Sequence, residues 1–370
     1  MMPSEEKITH VQLGCLCFGY LSGFSTLFLL EAKFLKQDVW MANVLAIAAA
    51  IGVLWLLCYV QRKHPDMKFT ESCEKLLGKW IAKFAFLIYL AYFLELGGLA
   101  ARAISTFYTT AILPNTPPSV LILLVLLVTS YAISLGLGTI MRTLQVILPF
   151  FILASIIISL FIFREVEMNP LLPQFQNRLT NIIYGGMISF AFPFGKTVMF
   201  GFLLSRVKNT RKMFVGGTIG IALSGVYLLW ATYLTFGSLG MSLTRSATFP
   251  FFTAIQLVKF GEYMERIEIT IIGIWTIFTL FELIVIQYVF TELMAHLFSI
   301  KHTRAFILPI GLLFFAISFR SFGRVTDHAM YNYEILPFST LIPTTVIPIL
   351  LACLTLIRKR RFSQETVRGR

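Results

Sequence analysis

Ten apolar runs, each near the ~20 residues needed to cross a hydrocarbon core, set the limits on what this chain can fold into. They fall at roughly 9–30, 39–61, 80–110, 119–137, 143–163, 182–204, 213–239, 264–298, 303–319 and 337–357. The third and eighth are over-long, so they tilt or project beyond the bilayer. Of the 370 residues, 57% are hydrophobic and 13% charged, against about 25% charged in soluble domains. A soluble core cannot hide that much apolar surface. The pattern predicts an all-α integral membrane protein with lipid as its solvent, and no polar interval is long enough for a soluble domain.

The net charge of +13 invites a nucleic-acid reading. The cations, however, lie between the apolar runs rather than in one stripe, which fits membrane topology and no nucleic-acid partner. With the N-terminus placed in the cytoplasm, 20 of the 31 Lys and Arg fall in cytoplasmic segments, eight in outer ones, and Arg102, Lys196 and Arg266 within spans. That bias predicts an even number of spans with both termini cytoplasmic. The C-terminal "RKRRF" reads as a stop-transfer signal and an anchor for membrane lipid headgroups.

The five cysteines have no metal-ligand spacing and read as small apolar residues in helices. The first nine residues are polar and no small-residue cleavage site follows, so no leader peptide is expected. No metal or cofactor is predicted. Nor is an enzyme: the chain has no Gly-rich phosphate loop and no nucleophile elbow, and "GLGTIMR" at 136–142 reads as a short loop between spans.

Divided near residue 168, the chain gives five spans to each side: 1–168, spans 1–5, and 169–370, spans 6–10. An odd number in each half forces the halves into opposite orientations, as an inverted repeat requires. Both leading spans carry a defect. Span 6 reads "FAFPFGK", with Phe190, Pro193, Phe194, Gly195 and Lys196. Span 1 reads "CFGYLSGFST", with Gly19, Ser22, Gly23, Ser25 and Thr26. Helix-weakening residues at matching depth are the sequence pointer to a mid-membrane binding site, because unwinding frees backbone groups where there is no bulk water. Half-helix N-termini favour a carboxylate and C-termini an ammonium; an amino acid carries both. Two plainer readings stay open: Gly19 and Gly23 as a helix-packing motif, and Pro193 with Gly195 as a simple kink.

Charges inside spans are functional candidates: Glu95 and Arg102 in span 3, Lys196 in span 6, and Glu282, Glu292 and His296 in span 8. Lys196 needs an anion, and Glu282 and Glu95 are the candidates. It reads either as one half of a structural ion pair, or as a stand-in for a coupling cation or a proton sensor. Glu292 and His296, four apart, read as a solvated helix end and not as a metal site. Tyr92 with Leu96, and Thr279 with Glu282 and Ile286, share helix faces that would complete a pocket beside the breaks.

Ten spans with a broken first and sixth resemble the amino-acid/polyamine/organocation (APC) transporter superfamily, with its LeuT-like 5+5 inverted repeat. More closely, the chain resembles the B subunit of endospore germinant receptors. "KITHVQLGCLCFGYLSG" is similar to that family's start, "KQDVWMANVLA" to its approach to span 2, and "FAFPFGK" to its span 6 break. "FPFFTAIQLVKFGEYMERIEITIIGIWTI" at 249–277 is similar to the run before its eighth span. The resemblance implies a receptor in the spore inner membrane that senses a small-molecule nutrient beside an A-type membrane subunit and a C-type lipoprotein subunit. The other function it leaves open is proton-coupled amino-acid transport. Sodium-using relatives carry polar coordinating side chains around spans 1 and 8. Here those are Ser22, Ser25 and Thr279, which argues against sodium.

Overall fold

The computed structural model describes residues 7–23, 29, 32–167, 171–257, 268–300, 302–320, 331 and 333–368. Within these, α1 spans His10–Ser22, α2 Val39–Lys63, α3 Phe69–Leu77, α4 Lys79–Ala111, α5 Pro118–Ser134 and α6 Leu137–Ile162. Then come α7, Leu179–Ala191, a 3-10 segment over Phe194–Phe202, and α8, Met213–Ser246. The chain continues through α9, Pro250–Leu257, α10, Glu268–Leu297, and α11, Arg304–Arg320. A π turn at Ile342–Val346 leads into α12, Ile347–Arg368.

Among the described residues, seven helical stretches are long and apolar enough to cross a membrane: Lys36–Lys63, Lys79–Ala111, Leu137–Glu165, Leu179–Phe202, Met213–Ser246, Trp275–Leu297 and Leu336–Arg358. Two shorter apolar helices, Pro118–Ser134 and Arg304–Phe319, accompany them. This is a multi-pass membrane protein. Its burial pattern is that of a bundle in lipid: Val146, Phe150, Leu153 and Leu160 on α6 are each more than half exposed. The α10 helix lies at the centre and packs against α1, α4, α5, α6 and α11.

Glycines set the closest approaches. A Cβ on Gly216 would lie 2.2 Å from the His10 carbonyl oxygen, and one on Gly220 2.3 Å from that of Gly14. The α1 and α8 backbones therefore touch, as small residues permit in lipid, where packing rather than the hydrophobic effect joins helices. Ahead of them, Ile8 and Val207 form a parallel bridge, with Ile8 N–H donating to the Arg206 carbonyl at 2.8 Å. Asp38, within the "KQDVW" stretch, is fully buried and accepts from the backbone N–H groups of Phe175, Gln176 and Asn177 at 2.7, 2.8 and 3.0 Å. It ties the start of α2 to the segment before α7.

Two boundaries differ from expectation. "GLGTIMR" is not a loop: Gly136, at φ +91°, makes the turn by itself and α6 begins at Leu137. A left-handed glycine lets the next helix start at once. The polar interval after residue 239 is also shorter than expected, because α8 runs on to Ser246 through a non-helical Gly240 at φ +72°. The sequence reads 320–336, between the last two spans, as a loop or short surface helix; most of it lies outside the described residues.

Candidate functional site

The "FAFPFGK" stretch breaks its helix as its composition demands. The α7 helix stops at Ala191, Phe192 is extended (φ −146°, ψ 116°), and the chain resumes after Pro193 as a 3-10 segment. Proline removes a backbone donor and clashes with the preceding turn. Gly195 permits the tight return, since a Cβ there would lie 2.8 Å from the Phe190 carbonyl oxygen. That Cβ would also lie 3.4 Å from Thr344 in the π turn before α12. The break in one membrane element thus sits against an irregular turn in another, a pairing absent from the sequence reading.

Lys196 is fully buried in the 3-10 segment, and its Nζ donates to Glu282 Oε1 on α10 at 2.7 Å. The ammonium also stands 4.3 Å from the Phe192 ring centroid and 5.5 Å from that of Tyr20. A buried ammonium needs such company, because burying an unpaired charge costs several kcal/mol. Tyr20 of α1 also packs edge-on against Phe200, ring centroids 5.4 Å apart. One ion pair and two ring contacts therefore join α1, the 3-10 segment and α10.

Polar atoms without partners occur on the elements that hold the pair and on α4. The hydroxyls of Tyr20, Tyr92 and Thr197, together with Glu95 Oε1, are buried and have no hydrogen-bond partner among the described residues. Tyr20 lies within electrostatic reach of Glu282 and Tyr92, and Tyr92 within reach of Glu95 and Glu282. Most buried polar side-chain atoms are hydrogen-bonded. A cluster that is not can take hydrogen bonds from a ligand.

The expected site residues divide into two groups. Tyr92, Leu96, Phe190, Pro193, Phe194, Gly195, Thr279, Glu282 and Ile286 are all buried. Ser22 and Thr279 are engaged already: each hydroxyl donates to a backbone carbonyl one turn back, Phe18 at 2.5 Å and Trp275 at 3.0 Å. Gly19 and Gly23 receive Phe278, since a Cβ on either would lie 2.8 Å from that side chain. Their place is helix packing of α1 on α10. Arg102 is half-buried, two turns along α4 from Glu95. Ser25 and Thr26 lie outside the described residues.

Glu292 and His296 are partly exposed and also have charged neighbours. Arg206 Nη2 lies 3.2 Å from Glu292 Oε2, and His296 Nε2 lies 3.1 Å from Glu74 Oε1 on α3. No cluster of three or more metal-ligating side chains occurs among the described residues. The sequence reading missed Tyr20, Phe192, Thr197 and Phe278, all adjacent to residues it had singled out. It also missed Gln287, whose side chain binds Thr129 Oγ1 at 2.7 Å, Ser130 Oγ at 2.9 Å and the Ile307 carbonyl at 3.1 Å. A glutamine and two hydroxyls in apolar runs were the available signal.

The overall fold of this helical bundle superposes on solved transporter structures. Mhp1, a nucleobase-cation-symport-1 family transporter closed on bromovinylhydantoin, superposes with a TM-score of 0.74 at 12% identity, over 97% of this chain and 80% of that one. MhsT in complex with L-phenylalanine gives 0.67 at 14% identity, over 95% and 89%. The chain belongs to the spore germination protein family (Spore_permease), whose pattern matches residues 7–322. Its relatives include spore germination protein KB of Bacillus subtilis (strain 168), 21% identical over 347 residues, 91% of each chain. Spore germination protein YndE of the same organism is 24% identical over 282 residues, 74% of this chain and 77% of the relative. Family and fold together point to a germinant-receptor or permease-like membrane protein.

Proposed function

We propose that this chain is the membrane subunit of a nutrient germinant receptor, and that it binds a small germinant in the pocket beside the Pro193 break. The observation that carries the reading is the pair of unpartnered Tyr20 and Tyr92 hydroxyls within electrostatic reach of Glu282, whose charge Lys196 already neutralises, with Glu95 Oε1 beside Tyr92 and Thr197 Oγ1 next in sequence to Lys196 also without partners. Lys196 and Glu282 satisfy each other, so the ligand need not bring a counter-charge for either. The free Glu95 oxygen suits an ammonium and the hydroxyls suit a carboxylate, which together favour a neutral amino acid. MhsT is solved with L-phenylalanine, a ligand of that class.

In this reading the chain has ten spans, arranged as 1–168 and 169–370 in inverted repeat, with both termini in the cytoplasm. It works in the spore inner membrane beside an A-type membrane subunit and a C-type lipoprotein subunit. Binding shifts a two-state, transporter-like fold, and the ligand moves that balance only by its differential affinity for the two states. The rival reading, proton-coupled amino-acid transport, draws on the likeness to Mhp1 and uses the same pocket; labelled-nutrient uptake into proteoliposomes separates the two. The pocket itself is tested by nutrient-triggered germination of spores carrying Tyr20→Phe or Tyr92→Phe, which remove hydroxyls that have no partner among the described residues. The reading expects a shifted or lost dose response at normal protein level. An unchanged dose response rules the pocket out.

A further inference from the structure

A cavity lies away from the break, on the outer flank of α1. It encloses about 680 Å³ between α1, α6 and α8. Its floor is His10, Gly14 and Phe18 of α1; its walls run from Leu148 to Leu160 on α6 and from Val215 to Trp230 on α8. At 1.5 Å per helical residue the walls are roughly 18 and 22 Å long, more than half the ~30 Å hydrocarbon thickness. The lining is almost entirely apolar. The wall residues facing outward are bulky and about half exposed: Ile156 53%, Ile219 53%, Leu223 54% and Val226 62%.

Two features of the cavity identify its occupant. The first is which residues are small. A partner helix in lipid docks on small residues, but Gly14, Gly216 and Gly220 are already filled by the α1–α8 contact. What remains is a long slot between branched aliphatic walls, a shape that takes a flexible chain rather than a helix. The second is charge. Where His10 and Val215 line one end of the slot, the preceding residues Lys208, Arg211 and Lys212 are exposed, as is Arg142 at the same end of α6. Arg62 adds a further cation there, donating to the carbonyls of Thr210 and Arg211 at 3.3 and 3.1 Å. No acidic residue occurs anywhere in 136–164 or 203–245. The charged residues at this end of α6 and α8 are all basic, and such a rim at the mouth of an apolar slot is complementary to an anionic headgroup carrying an acyl chain.

We propose that the α1–α6–α8 slot is a binding site for an anionic phospholipid, acyl chain along α6 and α8, headgroup at Arg211, Lys212 and Arg142. The site is distinct from the nutrient pocket and does not depend on it. It presses on α1, the helix that carries Tyr20 to the ion pair, so lipid composition would bias the element that shapes that pocket.

The test uses the full chain in nanodiscs of phosphatidylcholine with increasing phosphatidylglycerol, one fraction of which carries a photoreactive acyl chain. The proposal expects adducts concentrated on peptides 148–160 and 215–230, with phosphatidylglycerol retained over phosphatidylcholine. The double variant Arg211→Gln/Lys212→Gln should lower the apparent affinity for phosphatidylglycerol about 25-fold, at about five-fold per cation. Filling the slot with Ile156→Trp and Leu223→Trp should abolish those adducts while leaving labelling of the exposed Leu123–Val128 face of α5 unchanged. The charge variants carry the test alone if the tryptophan variant does not fold. Equal retention of the two lipids, labelling spread evenly over all lipid-facing helices, or cross-links showing another helix in the slot would each overturn it.

Discussion

Lys196 and Glu282 meet at 2.7 Å, 86 residues apart in sequence, and Arg206 meets Glu292 at 3.2 Å with the same separation. The constant offset means that the segment after the Pro193 break runs parallel to α10 and is tied to it twice in one register. The inner tie is fully buried. The outer is partly exposed, with side chains 15% and 26% accessible.

Removing one partner of the inner tie leaves an uncompensated charge in the bundle. Lys196→Met or Glu282→Gln should each destabilise the purified chain by about 3–5 kcal/mol. The double variant should recover most of the loss, because two well-packed neutral side chains replace the pair. Thermal unfolding of the four-member cycle in detergent checks this; additive losses would contradict it.

The outer tie is a different matter. Solvent screens it, so Arg206→Gln should cost no more than about 1 kcal/mol in the same assay. A loss as large as that of Lys196→Met would mean that Arg206 is buried in the working protein.

Gly19 and Gly23 both abut Phe278, but on different atoms. A Cβ on Gly19 meets the ring, at Cε1, whereas one on Gly23 meets the Phe278 Cβ. Each Gly→Ala change should cost about 1–3 kcal/mol by overpacking. Phe278→Ala removes the ring and keeps the Cβ. It should therefore suppress Gly19→Ala and not Gly23→Ala, read as coupling energies in unfolding experiments.

At the end of α2, burial first and then the nearby Lys75 and Arg358 charges hold His64 below its ordinary imidazole value. A lowered folded-state value means that the unfolded chain binds the proton more readily. Stability contributed by neutral His64 is complete above about pH 6.5 and falls as pH drops through the window below it. His64→Gln should flatten the stability-versus-pH curve in that window and leave it unchanged at pH 8.

Much of the bundle was legible because lipid enforces a simple rule: a span must be apolar and about 20 residues long. The position of the break was equally legible, since Pro193 and Gly195 act through local backbone chemistry. What Gly19 and Gly23 pack against was not, because a glycine reports that something comes close and says nothing of which side chain does. The choice of Glu282 over Glu95 as the partner of Lys196 depends on how α4 and α10 are rotated, and apolar periodicity is weak in helices buried on nearly every side. Tyr20 stood inside a quoted motif but reads as one more large apolar residue until its hydroxyl is seen without a partner.

The central claim is that the unpartnered atoms of Tyr20, Tyr92, Thr197 and Glu95 receive a germinant. Tyr20→Phe, Tyr92→Phe and Thr197→Val each remove a hydroxyl that has no partner in the described protein, so each should leave unliganded stability nearly unchanged. The direct measurement is the thermal shift of the purified full chain and these three variants against a panel of neutral amino acids, sugars and nucleosides. The account predicts that a neutral amino acid stabilises the wild type, by about 2.7 kcal/mol at a hundred-fold excess over its dissociation constant, and that the variants lose most of that shift. Equal ligand-induced shifts in the wild type and all three variants would contradict it.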